Sequence, residues 1–375
     1  MITGSKELIR DMNTKLVIDA IMNDGPISRT AIAGKLGLTK ATISAIVQVL
    51  QKKDLVCEIG SDDTKKGRKP ILLDLNENCG HVISVDLSAD YITLLAANLK
   101  GKNCFVKRYE NTTTTTNVVA SLITMIEEMV THIPPSTYHL VGITLGIHGV
   151  VHDNKIVFVP YSPYQDIDFS NLLEQHFAVP VLLENEANLS VLGEWAYSCH
   201  SKNMLSISVH SGVGLGIIMN NQLITGQDGF AGEFGHSIIQ IDGKACPCGN
   251  HGCLEQYASE WAILHELSAK KGQKITPETF AALYQKNDPD AVASMELFVK
   301  YISVAINNLL NAFNPDVIVI NSSFTMNFPE ITEQITASLK SGMKGYCHLV
   351  SSLFQDTAIL LGGVYASSHR FLDSQ

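Results

Sequence analysis

At 375 residues, with 45% hydrophobic and 17% charged side chains, the chain is too apolar for disorder and too long for one ordinary core. No apolar run reaches the roughly 18–20 residues of a membrane span, and the polar N-terminus carries no signal-peptide pattern, so no membrane partner is expected. The net charge of −10 argues against nucleic acid for the whole chain, but residues 1–80 hold 12 Lys+Arg against 10 Asp+Glu while the remainder holds 15 against 27.

In chain order, Leu16, Val17, Ala20 and Ile21 recur at helical spacing between Lys15 and Met22, and Gly25-Pro26 ends the pattern. Ser28 can cap a second helix holding Ala31, Ile32 and Leu36, which stops at Gly37. Thr39 can cap a third, with Ile43, Ile46, Val47 and Leu50 as its buried stripe. Short helices joined by a tight turn at Gly37-Leu38 form the helix-turn-helix pattern. Small hydroxyl residues and a lysine at a helix start suit a reader of the major groove. The candidate DNA contacts are therefore Thr39, Lys40, Ala41, Thr42 and Ser44, with Ser28 and Arg29 opening the preceding helix. Two short strands, 56–59 and 71–75, flank the basic tip GSDDTKKGRKP and read as a wing. Its Lys65, Lys66, Arg68 and Lys69 are placed to meet phosphate or the minor groove.

Beyond about residue 79 strands alternate with helices. Residues 81–101 read as two strands joined at Ser88-Ala89-Asp90, and buried strands follow in HLVGITLGIHGVV, VPVLLEN, NMLSISVH and DVIVIN. Helices are expected over 118–130, 186–198, 256–270 and 290–312. The pattern is that of an α/β chain with two lobes around a cleft.

Eight cysteines in so long a chain do not make a disulfide framework. Cys57, Cys79, Cys104, Cys199 and Cys347 read as reduced thiols, and the expected compartment is the cytoplasm. Cys246, Cys248 and Cys253 differ: spaced C-x-C-x4-C, they begin ten residues after His236 and offer the four donors of a closed tetrahedral Zn2+ site. With no open position, such a zinc would be structural. Two acids, Glu233 and Glu255, flank these donors.

The stretches GRKP at 67–70, LGIHGVV at 145–151, LLENEANLSVLGE at 182–194, SGVGLG at 211–216, GEFGH at 232–236 and CPCGNHGCLE at 246–255 resemble the ROK family of repressors and sugar kinases. The pattern, with ENEAN for ENDAN, is most similar to the family's xylose-responsive winged-helix repressors. The resemblance implies a winged helix-turn-helix over 1–78 and an actin-like (RNase H-like) domain over 79–375. One lobe would take about 79–190 plus 357–375 and the other about 191–356. It assigns His236, Cys246, Cys248 and Cys253 to Zn2+, and Asn185, Glu186, Glu233, His236 and Glu255, with the backbone near Gly149, to a monosaccharide. One imidazole nitrogen of His236 would serve the metal and the other the sugar.

Kinases of this family carry a D-x-G-G-T phosphate turn; here it reads Asp86-Leu87-Ser88-Ala89-Asp90. Glycines remain at Gly212, Gly214 and Gly216, but the adenosine-side glycines are replaced by Asn321-Ser322-Ser323. The expected catalytic Asp is Glu186, whose extra methylene moves the carboxylate by roughly 1.5 Å and would suit a sugar without a C6 group. The expectation is a repressor without a catalytic residue, binding a palindromic operator as a homodimer or homotetramer and released by xylose or a related sugar. The alternative is an active ROK-type sugar kinase.

Overall fold

A computed structural model describes residues 6–61, 70–159, 163–339, 342, 345 and 347–375. It opens with α1 (Lys6–Asp24), β1 (Ile27–Ser28), α2 (Arg29–Leu36), α3 (Lys40–Lys52), β2 (Val56–Ser61) and β3 (Ile71–Leu75). Local chemistry sets these boundaries. Ser28 Oγ accepts from Ala31 N at 3.2 Å and Thr39 Oγ1 from Thr42 N at 3.1 Å, so each hydroxyl satisfies a free helix N–H. Gly37 ends α2 at φ 65°, a left-handed conformation that glycine adopts without a Cβ clash. The basic wing tip, with Lys65, Lys66, Arg68 and Lys69, lies outside the described residues.

Two expectations need correction. The first helix begins at Lys6, not Lys15, because its early turns place Ile9 and Met12 in solvent and make no buried stripe to read. Leu16, expected inside, is exposed; Val17, Ile18, Ala20 and Ile21 carry the buried face. The sequence also gave no sign of β1, two residues that pair with β3 at Ile27–Leu73 and make the wing three-stranded. So short a segment has no alternation to detect.

The first lobe contains β4 (Gly80–Leu87), β5 (Tyr91–Asn98), β6 (Phe105–Glu110), α4 (Val118–Val130), β7 (His139–Ile147), the hairpin β8 (Val150–His152) and β9 (Lys155–Phe158), α5 (Phe169–Phe177) and β10 (Val181–Asn185). Then follow α6 (Glu186–Tyr197), β11 (Met204–Val209), β12 (Val213–Met219), β13 (Gln222–Leu223), a 3-10 turn (Phe234–His236), α7 (Glu255–Ala258), α8 (Glu260–Lys271), α9 (Pro277–Gln285) and α10 (Pro289–Phe313). The chain finishes with β14 (Val317–Asn321), α11 (Ser323–Asn327), α12 (Glu330–Ser338), β15 (His348–Ser351) and α13 (Thr357–Asp373). The helix expected over 256–270 is broken at Ser259, which leaves the helical region and caps α8 through Ala262 N at 3.1 Å.

The two large sheets repeat one plan. Their orders are β10-β7-β4-β5-β6 and β15-β14-β11-β12-β13: an antiparallel meander extended by two parallel strands. This duplication is the two-lobed actin-like architecture. One face of the first sheet packs on α4 and α5. Its other face shares a core with the winged module, in which Val82, Leu95, Val141, Leu360 and Val364 join Ile21, Ile32, Val47 and Leu73.

Helices α6 and α13 make the most extensive helix–helix contact among the described residues. Their backbones meet directly: a Cβ on Gly193 would lie 2.1 Å from Ala358 O, and one on Gly362 1.9 Å from Leu189 O. Gly362→Ala should therefore force the helices apart and destabilise by about 1–3 kcal/mol. Gly34→Ala, in α2 with nothing within 4 Å of a new Cβ, should stabilise by about 0.5–1 kcal/mol. Denaturant unfolding of the two variants checks this; equal effects would mean the close approach has no consequence.

Candidate functional site

Between the lobes lies a cleft lined by a few turns and helix starts. The β7–β8 turn supplies His148 and Gly149, the β10–α6 junction Asn185 and Glu186, and the β11–β12 turn His210 and Gly212. The 3-10 turn brings Glu233 and His236, and the start of α7 brings Glu255. All six residues expected at a sugar site thus line one cavity. Asn185 is already engaged: its Oδ1 caps α6 through Ala187 N and Asn188 N, and its Nδ2 donates to Gly149 O at 2.9 Å. It fixes the position of the β7–β8 turn and keeps one amide proton for a ligand.

Three cleft-lining polar atoms, Glu186 Oε2, Ser208 Oγ and His210 Nε2, are closed to solvent and have no hydrogen-bond partner among the described residues. Burial raises the Glu186 carboxyl to about 7; the neighbouring His148 charge opposes this, and Glu233 and Asp86 add to it. Burial also raises Glu233, offset by His236 and reinforced by Glu255. At His148 burial disfavours the imidazolium, but Asp86, through its charge and a 2.7 Å hydrogen bond to Nε2, with Glu186 and Asp356 beyond, raises it to about 9. Neither His148 nor His210 carries a local sequence signal that marks it as a site residue, and Asp86 opens the segment aligned with the phosphate turn.

Behind the cleft, His236, Cys246, Cys248 and Cys253 place one donor atom each within 4.8 Å of one another. Cys246 Sγ lies 3.6 Å from His236 Nδ1, and Cys248 Sγ 3.6 Å from Cys253 Sγ. A tetrahedron with arms of about 2.3 Å has edges of about 3.8 Å, so these four residues fit a metal ion in closed coordination. His236 turns Nδ1 toward the thiols and Nε2 toward Glu233 Oε2, 3.8 Å away. Glu255 Oε1 sits 3.1 Å from Cys246 Sγ, which ties the His/Cys cluster to the cleft.

A third group lies deeper in the second lobe. Buried Glu260 accepts from Ser322 Oγ at 2.7 Å and from Ser323 N at 2.6 Å, so an internal carboxylate fills the turn after β14.

On the winged module, the exposed or half-exposed positions of α3 are Lys40, Ala41, Thr42, Ser44, Ala45, Gln48, Val49, Gln51 and Lys52, opposite the buried stripe. Ala45 and Gln48 continue the i, i+3, i+4, i+7 row begun by Ala41 and Ser44. Ser28 and Thr39 serve as caps, and Thr39 Oγ1 also lies 2.8 Å from Thr42 Oγ1. Arg29 is held against the wing strand by Glu58 at 2.9 Å and Gln51 at 3.3 Å.

Against known proteins, the profile of the ROK family matches residues 82–367. The chain belongs to the ROK family. A winged helix-turn-helix DNA-binding profile matches residues 10–56. The xylose repressor of Bacillus spizizenii is 34% identical over 342 residues, covering 90% of this chain and 89% of that protein. The xylose repressor of Bacillus subtilis is 33% identical over 367 residues, with 95% of each covered. A crystal structure of a ROK family transcriptional regulator, described as a homologue of the Escherichia coli MLC protein, superposes at a TM-score of 0.82 with 25% identity and 98% of each chain covered. A Streptomyces griseus ROK glucokinase in complex with glucose and AMPPNP aligns at a TM-score of 0.67 with 23% identity, over 76% of this chain and 98% of its own; at that distance it speaks to fold.

Glu186 and His148 bind protons more tightly in the folded chain than their ordinary values of 4.5 and 6.5 imply, so folding takes up protons. Stability is then greatest at low pH within these windows: Glu186 withdraws its share between about 4.5 and 7, and His148 between about 6.5 and 9. Thermal unfolding followed by circular dichroism should show a midpoint that falls from pH 7 to 9.5, and a His148→Gln variant should lose most of that fall. An equal slope in both proteins would exclude His148 as the titrating group.

Proposed function

We propose that the chain is a sugar-responsive transcriptional repressor whose head holds a palindromic operator, as a homodimer or homotetramer, until xylose or a related monosaccharide fills the cleft. The observation that carries this reading is the set of unpartnered buried atoms, Glu186 Oε2, Ser208 Oγ and His210 Nε2, facing a cleft bounded by Glu233 and Glu255. Buried polar atoms are nearly always hydrogen-bonded, so these call for a ligand rich in hydroxyls. Carboxylates accept from such hydroxyls, and His236 Nε2 lies on the same side. The end-to-end likeness to xylose repressors supports a pentose, as does the length of Glu186.

The metal in this reading is a structural Zn2+ on His236 Nδ1 and the thiolates of Cys246, Cys248 and Cys253. Bound there, zinc supplies no chemistry beyond fixing geometry, since four protein donors leave no place for a substrate atom. His236 is thereby oriented so that Nε2 faces the sugar. Phosphoryl transfer is not part of the function: His148 engages Asp86, and Glu260 fills the Ser322–Ser323 turn with a negative charge that disfavours phosphate.

Release follows from linkage. If the sugar binds the operator-incompetent arrangement 100-fold more tightly, operator affinity falls by the same factor, worth about 2.7 kcal/mol. The acidic lobes add repulsion toward DNA once the heads lose their register.

In fluorescence anisotropy at fixed salt, xylose should weaken binding to the operator by about 100-fold. Incubation with ATP and xylose or glucose should release no ADP; turnover would instead establish the kinase alternative. Lys40→Ala should weaken operator binding and leave the xylose affinity unchanged, whereas Glu233→Ala should do the reverse. A Glu233 variant with a normal xylose response would remove that residue from the sugar site. Metal analysis should return one zinc per chain, and Cys248→Ser should lose both the metal and several degrees of Tm; a stoichiometry near zero in freshly purified wild-type protein would refute the zinc assignment.

A further inference from the structure

Asp86 and His148 stand outside the residues by which the family resemblance defines a sugar site, yet His148 lines the cleft and Asp86 is bonded to it. Asp86 ends β4 and is buried; His148 occupies the β7–β8 turn beside Gly149, and its Nε2 lies 2.7 Å from Asp86 Oδ1. The ring forms part of the cleft wall with Gly149, Asn185 and Glu186. Its other edge backs onto a small apolar cavity bounded by Leu87, Ile147, Ile156, Val159 and Tyr164. Such an imidazole has one nitrogen fixed by Asp86 and one, Nδ1, without a protein partner among the described residues. Next to it, Glu186 Oε2 is closed to solvent and equally without a partner. A donor and an acceptor without partners on the same cleft wall are complementary to one hydroxyl group, which accepts one hydrogen bond and donates another. A carboxylate on one imidazole nitrogen also fixes which proton the other nitrogen presents, the arrangement by which metal-binding and catalytic histidines are oriented.

We propose that Asp86 and His148 form a reading pair for the bound aldose: Asp86 is the positioning residue, His148 Nδ1–H donates to one ring hydroxyl, and that hydroxyl donates to Glu186 Oε2. The pair thus takes the acid of the former phosphate turn and turns it to sugar recognition. It adds a cationic donor to a cleft otherwise dominated by Glu186, Glu233 and Glu255, and Asp356 acts on His148 from beyond Asp86 and Glu186. This proposal rests on the reading of the cleft as a sugar site. It predicts discrimination of a particular kind, because a sugar lacking the contacted hydroxyl leaves the buried Glu186 Oε2 unmatched and His148 Nδ1 without its acceptor.

Isothermal titration of the full-length chain with D-xylose and its four monodeoxy or anhydro analogues tests it, using wild type, His148→Ala and Asp86→Asn. In wild type, one analogue should bind about 10- to 100-fold more weakly than xylose. In His148→Ala, xylose itself should weaken by a similar factor, and the penalty for that one analogue should collapse to within about threefold. Asp86→Asn, which keeps the shape of the site, should reduce the same penalty in part. Retained operator binding by both variants certifies that they are folded. If His148→Ala weakens xylose and every analogue in the same proportion, the residue only shapes the wall and the proposal fails. Unchanged affinities in His148→Ala overturn it also, while leaving the cleft a sugar site. Wild-type protein that binds no aldose removes the sugar reading and the role of the pair together.

Discussion

The contact on which the molecule depends is the crossing of α6 and α13. Each helix leaves the last parallel strand of its own sheet, and the two cross with no side chain between them at Gly193 and Gly362. Backbone on backbone is the tightest packing that helices allow, and it is sensitive to volume, since one added methyl has nowhere to go. The N-terminus of α6 carries Glu186 in the cleft, with Asn185 as its cap. The far end of α13 reaches the winged module, where Phe371 and Leu372 enter the same core as Ile18 and Ile46. A change in the lobe angle therefore has a rigid path to the head, because the helices must move as a pair or separate.

Electrostatics then divides the labour. The lobes carry most of the negative charge, and the buried acids away from the cleft have local donors: Ser352 for Glu194 Oε1, and Ser322 and Ser323 for Glu260. Other buried polar atoms without a partner, among them Glu194 Oε2, Ser206 Oγ and Asn321 Oδ1, lie scattered outside the cleft lining, whereas Glu186 Oε2, Ser208 Oγ and His210 Nε2 gather on one cavity. An uncompensated buried group costs about 1–3 kcal/mol, and a fold retains several together where a ligand supplies the missing partners. The Asp86–His148 pair follows the same logic with opposite sign, keeping one positive charge among three carboxylates that would otherwise repel one another.

How much of this was legible in the sequence depended on range. Ser28, Gly37 and Thr39 announced their helices because a cap acts within three residues, and the donor set of His236 and the three cysteines was readable because it spans only eighteen positions. The gathering of Glu186, Glu233 and Glu255 came from matched motifs, since nothing local tells that three turns of two lobes will meet. The misses share one cause. His148 means little until β4 and β7 pair side by side and bring Asp86 to it; Glu260 means little until α8 is set against the end of β14. Leu16 and Ile18 exchanged places because helical spacing alone leaves the stripe free by one position, and the partner that decides, the α13 end, is about 350 residues away.

Where the coupling energy resides follows from magnitudes. The head is joined to the end of α13 by an ion pair between Lys15 and Asp373 at 2.7 Å, by Lys53 Nζ donating to Gln375 O, and by apolar packing. The Lys15–Asp373 pair is half exposed on both sides, 52% and 41%, and such pairs contribute about 0–1 kcal/mol. Phe371 and Leu372 are buried, and a side chain of that size removed from water is worth about 1.5–3 kcal/mol. A coupling of about 2.7 kcal/mol is thus beyond the surface charges and within reach of repacking a single apolar side chain at this seam. In the proposed repressor the signal would pass by fit, not by charge: an α13 displaced by the sugar either seats Phe371 and Leu372 against α1 and α3 or leaves them partly open. The position of the recognition helix then follows from which of the two packings is complete.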